Sequence, residues 1–251
     1  MNNIIILAAG KGTRMQSELP KCACPILGKP MIEYLIDSCI EIGIQNIIVV
    51  VGYKKEIIQE ILKKYTNIKY AYQDEQLGTG HACMVTKDLL ENENGSTIIV
   101  PGDMPLVGVT NFKNLINYHN ETSSSMTILS SMFDNPTGYG RIVRENGFVT
   151  SIVEEKEATL EQKQIKEINT GLYAVDNQLL FKALDKIDNN NSKNEYYLTD
   201  IVKILSKSHR VDALVVPYDY HLTGINDLVT LDYVERKLKG ENWHFLNNGG
   251  F

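Results

Sequence analysis

The chain has 251 residues, 43% of them hydrophobic and 22% charged, with a net charge of −6. That length holds one large α/β domain or two small ones, and the acidic balance argues against a long basic track for nucleic acid. No apolar run approaches the roughly 20 residues that span a bilayer. No basic region precedes the short apolar start, as a signal peptide would require, so a cytoplasmic protein without membrane or nucleic-acid partners is expected.

The first half alternates strand and helix signals. Short apolar runs at Ile4–Ala9, Ile47–Val51, Ile68–Tyr72 and Thr97–Val100 predict strands. Helical periodicity covers Met31–Ile42, Lys54–Lys64 and His81–Leu90 between them. This alternation predicts a parallel sheet with helices on both faces, its strand C-terminal ends aligned along one ligand-binding edge. The second half is richer in strands: Met126–Met132, then Arg141–Val143 and Val149–Glu154 around the hairpin turn Asn146-Gly147, then Ile168–Val175 and Val211–Val216. Helices are predicted over Asn177–Leu184, Tyr197–Lys207 and Asp227–Leu238, with Gly240 as a stop and 188–194 as a loop. The tail Asn247–Phe251 lacks a core-forming pattern and is expected to fray. No Pro/Gly linker divides the chain. We therefore expect one catalytic domain over 1–238, with a β-rich lobe inserted in its second half, and a tail over 239–251.

Residues Leu7-Ala-Ala-Gly-Lys-Gly-Thr-Arg14 follow the first strand, and Lys21 lies seven positions further on. Small residues let backbone N–H groups face an anion, and Lys11, Arg14 and Lys21 add charge-assisted donors, a combination suited to a triphosphate. Met15 occupies the third glycine position of a dinucleotide fingerprint and also breaks a Walker A match. Gln73-Asp-Glu-Gln76-Leu-Gly78-Thr79-Gly-His81 follows the third strand. Its side-chain amides suit a pyrimidine edge, although Gly-Thr-Gly is equally a plain tight turn and His81 a plain helix residue. Asp103 follows the strand ending at Val100 and is placed to hold Mg²⁺ beside phosphates, or to cap the next segment. Gly138 and Gly140 suggest a ligand approaching the backbone, or a bulge. Glu154 and Asn169 lie at the ends of neighbouring strands, as sugar ligands or as a solvated edge. The four cysteines, with Cys22 and Cys24 too close for an ordinary disulfide, read as reduced structural thiols.

Taken together, Leu7–Met15, Leu19-Pro-Lys21, Gly28–Met31, Gln76–Ala82, Gly102-Asp103, Pro136–Ile142, Glu167–Gly171, Glu195–Asp200 and Gly224–Asn226 resemble the uridyltransferase (pyrophosphorylase) domain of the bacterial bifunctional enzymes that make UDP-N-acetylglucosamine. The resemblance runs from residue 4 to about residue 236. It implies an α/β, Rossmann-like, mixed but mainly parallel sheet flanked by helices, of the nucleotide-diphospho-sugar transferase type, with a β-rich sugar-binding lobe. It also implies transfer of UMP from UTP to N-acetylglucosamine 1-phosphate. By position, Leu7, Ala8, Ala9 and Gly10 with Gln73, Gln76 and Gly78 would hold the uridine. Arg14 and Lys21 would bind and neutralise the phosphates, Asp103 and Asn226 would ligate Mg²⁺, and Gly140, Glu154 and Asn169, with Thr79 and Tyr197, would position the sugar. The use implied is precursor supply for cell wall, capsule or another glycan.

Two departures stand out. Family members continue into a left-handed β-helix of hexapeptide repeats; no such repeats occur in this sequence, so acetyl transfer and trimerisation through that element are expected to be absent, leaving a monomer or weak dimer. Pro101 replaces the larger or polar residue common before Gly-Asp, which bears on the nucleobase pocket and sugar choice. A nucleotidyltransferase acting on another sugar or alcohol phosphate is the neighbouring alternative. A non-catalytic nucleotide-sugar sensor would be expected to lack Asp103, Arg14 or Lys21, and all three are present.

Overall fold

A computed structural model describes residues 3–241. The chain opens with β1 (Asn3–Leu7), a short hairpin of β2 (Pro25–Ile26) and β3 (Lys29–Pro30), α1 (Met31–Glu41), β4 (Asn46–Val51), α2 (Lys55–Leu62) and β5 (Ile68–Tyr72). There follow α3 (Thr79–Met84), α4 (Lys87–Leu90), β6 (Ser96–Pro101), α5 (Gly108–Thr122), β7 (Met126–Met132), β8 (Arg141–Glu145) and β9 (Phe148–Val153). The last elements are β10 (Glu167–Asp176), α6 (Asn177–Leu184), α7 (Asp200–Leu205), β11 (Val211–Val216) and α8 (Leu228–Leu238).

The main sheet runs in the order β11-β7-β10-β6-β1-β4-β5, with the β8–β9 hairpin attached to β10. β1 lies parallel to both β4 and β6, and β4 parallel to β5. β10 is antiparallel to its neighbours β6 and β7, while β11 is parallel to β7. β10 is therefore the reversed strand in a mainly parallel sheet. Neighbouring strands alternate their apolar side chains between faces. Ile5, Ile48, Val50 and Ile99 pack with residues of α3, α4, α6 and α7 on one face. Ile4, Ile6, Ile47, Val49, Ile98 and Val100 pack with α1, α2 and α5 on the other.

β1 sits between β4 on one side and β6 on the other, so the chain reverses its direction of travel across the sheet at the β1/β6 pair. Ligands of open α/β sheets bind at such a point, beyond the strand C-termini. Leu7 is in register with Pro101, and Gly102 N donates to Leu7 O at 2.9 Å. The glycine-containing loop after β1 and the Gly102-Asp103 turn after β6 thus leave the sheet side by side.

Several predicted elements needed revision. α5 was not anticipated. The helix expected over His81–Leu90 is broken into α3 and α4 at Val85-Thr86, where the Thr86 hydroxyl turns back to Cys83 O at 2.7 Å. The helix expected over Tyr197–Lys207 shortens to α7. The hairpin of the β-rich lobe joins the main sheet through Ile168 opposite Arg141. The hairpin turn itself is as expected, with Asn146 at φ 50° and Gly147 at φ 86°. Gly240, at φ 76°, follows α8. The tail Asn247–Phe251 lies outside the described residues.

Candidate active site

Ala8 and Ala9 are buried where β1 ends, and Gly10 opens the loop. Gly12 adopts φ 67°, and a Cβ there would meet Lys21 Cβ at 2.5 Å. Only glycine lets the loop lie this close to the Lys21 segment. Arg14 rides on the short turn Thr13–Met15, which is pinned by buried Met15. Lys21 begins a second turn, pinned by buried Cys22 and Ala23.

From these two turns the cations reach across the switch point. Lys21 Nζ pairs with Asp103 Oδ2 and donates to Asn226 Oδ1 at 2.6 Å, and Arg14 Nη2 donates to the same Asn226 oxygen at 3.1 Å. Residues 14, 21, 103 and 226 therefore form one cluster, although they are far apart in sequence. The backbone holds them there: Ile225 N donates to Asp103 O at 2.8 Å, and buried Ile225 packs with Met15, Leu106 and Val234. Asn226 N donates to Thr230 Oγ1 at 3.0 Å, and Asp227 closes a capping box with Thr230 at the start of α8. Lys11 does not join the cluster; it is exposed, with Nζ 5.3 Å from the centre of the Tyr53 ring.

The cluster also provides a test of the implied metal. An ammonium is already held between a carboxylate and an amide oxygen, both hard donors of the kind magnesium prefers, and substrate phosphates commonly complete such a shell. Asp103 and Asn226 fit that role. Among the described residues, no group of three or more His, Cys, Asp and Glu side chains is placed to hold a metal by itself.

On the β4–β5 side, Gln73 is buried at the end of β5 while Gln76 is exposed, its Nε2 reaching Gln73 O at 3.4 Å. A Cβ on Gly52 would lie 2.6 Å from Gln73 O and 3.0 Å from Ala9 O, so this corner abuts the β1 loop. Gly78, at φ 107°, packs where a Cβ would meet Tyr196 O at 2.5 Å. Thr79 is exposed, and its hydroxyl accepts from Leu198 N at 3.1 Å, tying α3 to the segment before α7.

A third group lies on the hairpin side. Asn169 N donates to Gly140 O at 2.9 Å, and a Cβ on Gly140 would stand 3.6 Å from Asn169 Cβ and 3.7 Å from Glu154 Oε1. Gly140, Glu154 and Asn169 are thus mutual neighbours. Asn169 Nδ2 donates to Tyr173 Oη at 2.6 Å, and its oxygen accepts from Gly171 N at 3.0 Å. Thr199 donates to Glu154 Oε1 at 3.1 Å. Burial raises the Glu154 pKa, an effect opposed by the Thr199 hydroxyl and by Lys193. Tyr197 is buried beside this group, under Lys193 Nζ at 5.9 Å from its ring centre. Pro101 packs against Gly171, at φ 88°, where a Cβ would meet Pro101 Cγ at 2.9 Å.

Sequence reading gave no role to Thr199 or to Arg141. Arg141 is fully buried; it donates to Tyr139 O and pairs with Glu155 at 2.6 Å, while Glu155 also accepts from Gly138 N at 3.2 Å. That strut fixes the turn leading into Gly140. Both residues lie inside motifs already noted, but which partners they take depends on strand pairing. The cysteines are free and buried, and burial pushes the Cys22 thiol up to about 12, so it is an inert neighbour of Asp103 rather than a nucleophile.

Comparison with known proteins identifies the family and the fold. A sequence model of the family described as nucleotidyl transferase matches residues 3–227. The bifunctional protein GlmU of Limosilactobacillus reuteri is 47% identical over 250 residues, covering 98% of this chain and 54% of that protein. Its namesake in Thermoanaerobacter pseudethanolicus is 47% identical over 248 residues, 98% of this chain and 53% of that protein. The one in Acholeplasma laidlawii is 42% identical over 239 residues, 95% and 52% respectively. The chain thus spans about half the length of the curated relatives it matches. A crystal structure of UDP-glucose pyrophosphorylase complexed with UDP-glucose superposes with a TM-score of 0.77 at 19% identity, over 96% of this chain and 99% of that one, which establishes a shared fold. With its family match running from β1 to the turn that carries Asn226, the chain belongs to the nucleotidyl transferase family.

Proposed function

We propose that this chain transfers UMP from UTP to N-acetylglucosamine 1-phosphate, giving UDP-N-acetylglucosamine and pyrophosphate. The observation that carries the reading is the convergence of Arg14, Lys21, Asp103 and Asn226 at the switch point of the sheet. The neighbouring set Gly140, Glu154 and Asn169 supports an amino-sugar phosphate as acceptor.

The nucleophile is a phosphate oxygen of the sugar phosphate. It is already anionic at neutral pH, so no general base is needed. That oxygen forms a bond to the α-phosphorus of UTP, the bond from this phosphorus to the β-bridging oxygen breaks, and pyrophosphate leaves with the electron pair. In-line attack inverts the configuration at phosphorus. The protein's work is to bring two polyanions together and to stabilise the charge that builds at the α-phosphorus. Arg14 and Lys21 supply fixed positive charge, and backbone groups of the β1 loop would hold the uridine. Asp103 and Asn226 would hold Mg²⁺, which when bound neutralises phosphate charge. Glu154 and Asn169 would accept and donate hydrogen bonds to sugar hydroxyl and acetamido groups.

The test is pyrophosphate release across a panel: UTP with N-acetylglucosamine 1-phosphate, glucose 1-phosphate and choline phosphate, and CTP, GTP and dTTP with the first acceptor. The fastest turnover is expected for UTP with N-acetylglucosamine 1-phosphate. A faster rate with either other acceptor would overturn the assignment. Lys21→Ala and Asp103→Ala should each lower turnover by at least ~10²-fold, the scale of losing one charge-stabilising group; near-normal turnover would remove the residue from its role.

A further inference from the structure

Gln73 is 4% exposed, yet its amide is only half engaged. Nε2 donates to Gly78 O at 3.0 Å and lies 3.2 Å from His81 Nδ1. Oε1 has no hydrogen-bond partner among the described residues, and it is not among the buried atoms sealed from solvent without a partner. An amide carries two N–H donors and one acceptor oxygen. Here one donor is taken by the Gly78 carbonyl and the other has His81 Nδ1 within reach, an acceptor in the Nε2–H tautomer, which leaves the oxygen as the unengaged polar atom.

The network fixes this orientation. Turning the amide over would place Oε1 against the Gly78 carbonyl, two acceptors with no proton between them. A carbonyl cannot change role. The imidazole can, by moving its proton, but the Gly78 bond decides for it: Nδ1 must carry the lone pair and Nε2 the proton. The position is also relevant, because the carbonyls of Gln73 and of Ala9, in the β1 loop, both crowd Gly52.

We propose that His81 is a positioning residue for base selection. By taking the second N–H of Gln73, it keeps Oε1 outward, so that the pocket accepts a base with an N–H at ring position 3, such as uracil or thymine. Cytosine, whose N3 is a bare acceptor, would meet an oxygen. With His81 removed, one donor of the amide is free, and the reversed orientation that would suit cytosine loses one fewer bond. This rests on the nucleotide-site reading above.

The experiment compares wild type, His81→Leu and His81→Asn. Leucine removes the acceptor, while asparagine offers Oδ1 in place of Nδ1. The readouts are the ratio of kcat/KM for UTP over CTP with one acceptor sugar phosphate, and the calorimetric affinities for UDP and CDP. His81→Leu should reduce the UTP/CTP ratio by roughly tenfold, the scale of one hydrogen bond, and His81→Asn should keep most of it. A purely structural role would weaken both nucleotides together, leave the ratio unchanged and overturn the proposal; so would equal loss of the ratio in both variants. In the unmodified protein, ¹⁵N shifts of the His81 ring should report the Nε2–H tautomer, and an Nδ1–H tautomer would sink the proposal without any substitution. A wild type that binds neither nucleotide, or shows no preference for uracil, would instead remove the nucleotide-site reading.

Discussion

Glu154 is a carboxylate that the fold keeps at a cost in stability. It is half-buried, and burial raises its pKa above the ordinary carboxylate range. Between the unfolded and the folded pKa the native state therefore holds more protons than the unfolded one, so stability contributed here falls as pH rises through that window. Glu154→Gln removes the buried charge but keeps an oxygen for Thr199 to donate to. The variant should melt higher than wild type at neutral pH, with the gap closing as pH falls to about 4, the unfolded carboxylate value. It should also raise KM for the sugar phosphate roughly five- to tenfold, because hydroxyls bond more strongly to a carboxylate than to an amide. Melting curves against pH, together with KM for both substrates, check the two halves. At this scale the sequence was informative about residue type and silent about direction. Lys11 and Arg14 are equally cationic and three positions apart in one loop. Only the turn pinned by Met15 decides that Arg14 reaches Asn226 while Lys11 turns toward Tyr53. The pairing of His81 with Gln73 was hidden for a similar reason, since it spans the turn from β5 into α3.

Among the elements, the parallel strands of the first half were legible because each is a short run rich in apolar or aromatic residues between helical periods. The Asn146-Gly147 turn was legible because both positions need positive φ. α5 was not. Its exposed positions carry Asn114, Asn117 and Asn120, poor helix formers, and they mask the buried stripe of Phe112, Leu115 and His119 that repeats at helical spacing. His119 completes that stripe as a structural residue, with its ring between Ser96 and Thr127 and its pKa lowered by burial. α8 does more than close the fold. Its capping box begins at Asp227, and Thr230, the far end of that box, also accepts from Asn226 N. Asp227→Ala should cost about 1 kcal/mol of stability. It should also weaken metal-dependent turnover more than that loss explains, because the backbone carrying Asn226 is loosened. Denaturant titration beside turnover measured over a range of Mg²⁺ concentrations separates the two effects, and unchanged metal dependence would argue against the link.

For the whole molecule, the alternation of strands and helices foretold a ligand edge at the strand C-termini, and Asp103 and the β1 loop meet on it as the register of Leu7 with Pro101 requires. The reversal of β10 could not be read, because strand direction depends on which neighbours a segment finds rather than on its own pattern. β10 pairs with β6 through Tyr173–Asp176 and with β8 through Ile168, and the ladder to β7 breaks between Asn169 and Tyr173. Gly171 lies in that break, with its φ of 88° and Pro101 against it. Gly171→Ala should cost on the order of 1–3 kcal/mol from backbone conformation alone, with added crowding at Pro101. Its melting temperature should fall while KM for the sugar phosphate rises, since Asn169 accepts from Gly171 N. An alanine variant with wild-type melting and KM would show that the break tolerates a side chain. A single continuous ribbon joins the sheet edge that holds Asp103 to the hairpin that bears Gly140. The proposed sugar and phosphate sides therefore share one strand, β10, which meets β8 at Ile168 and lies at Gly171 against Pro101, two residues from Asp103.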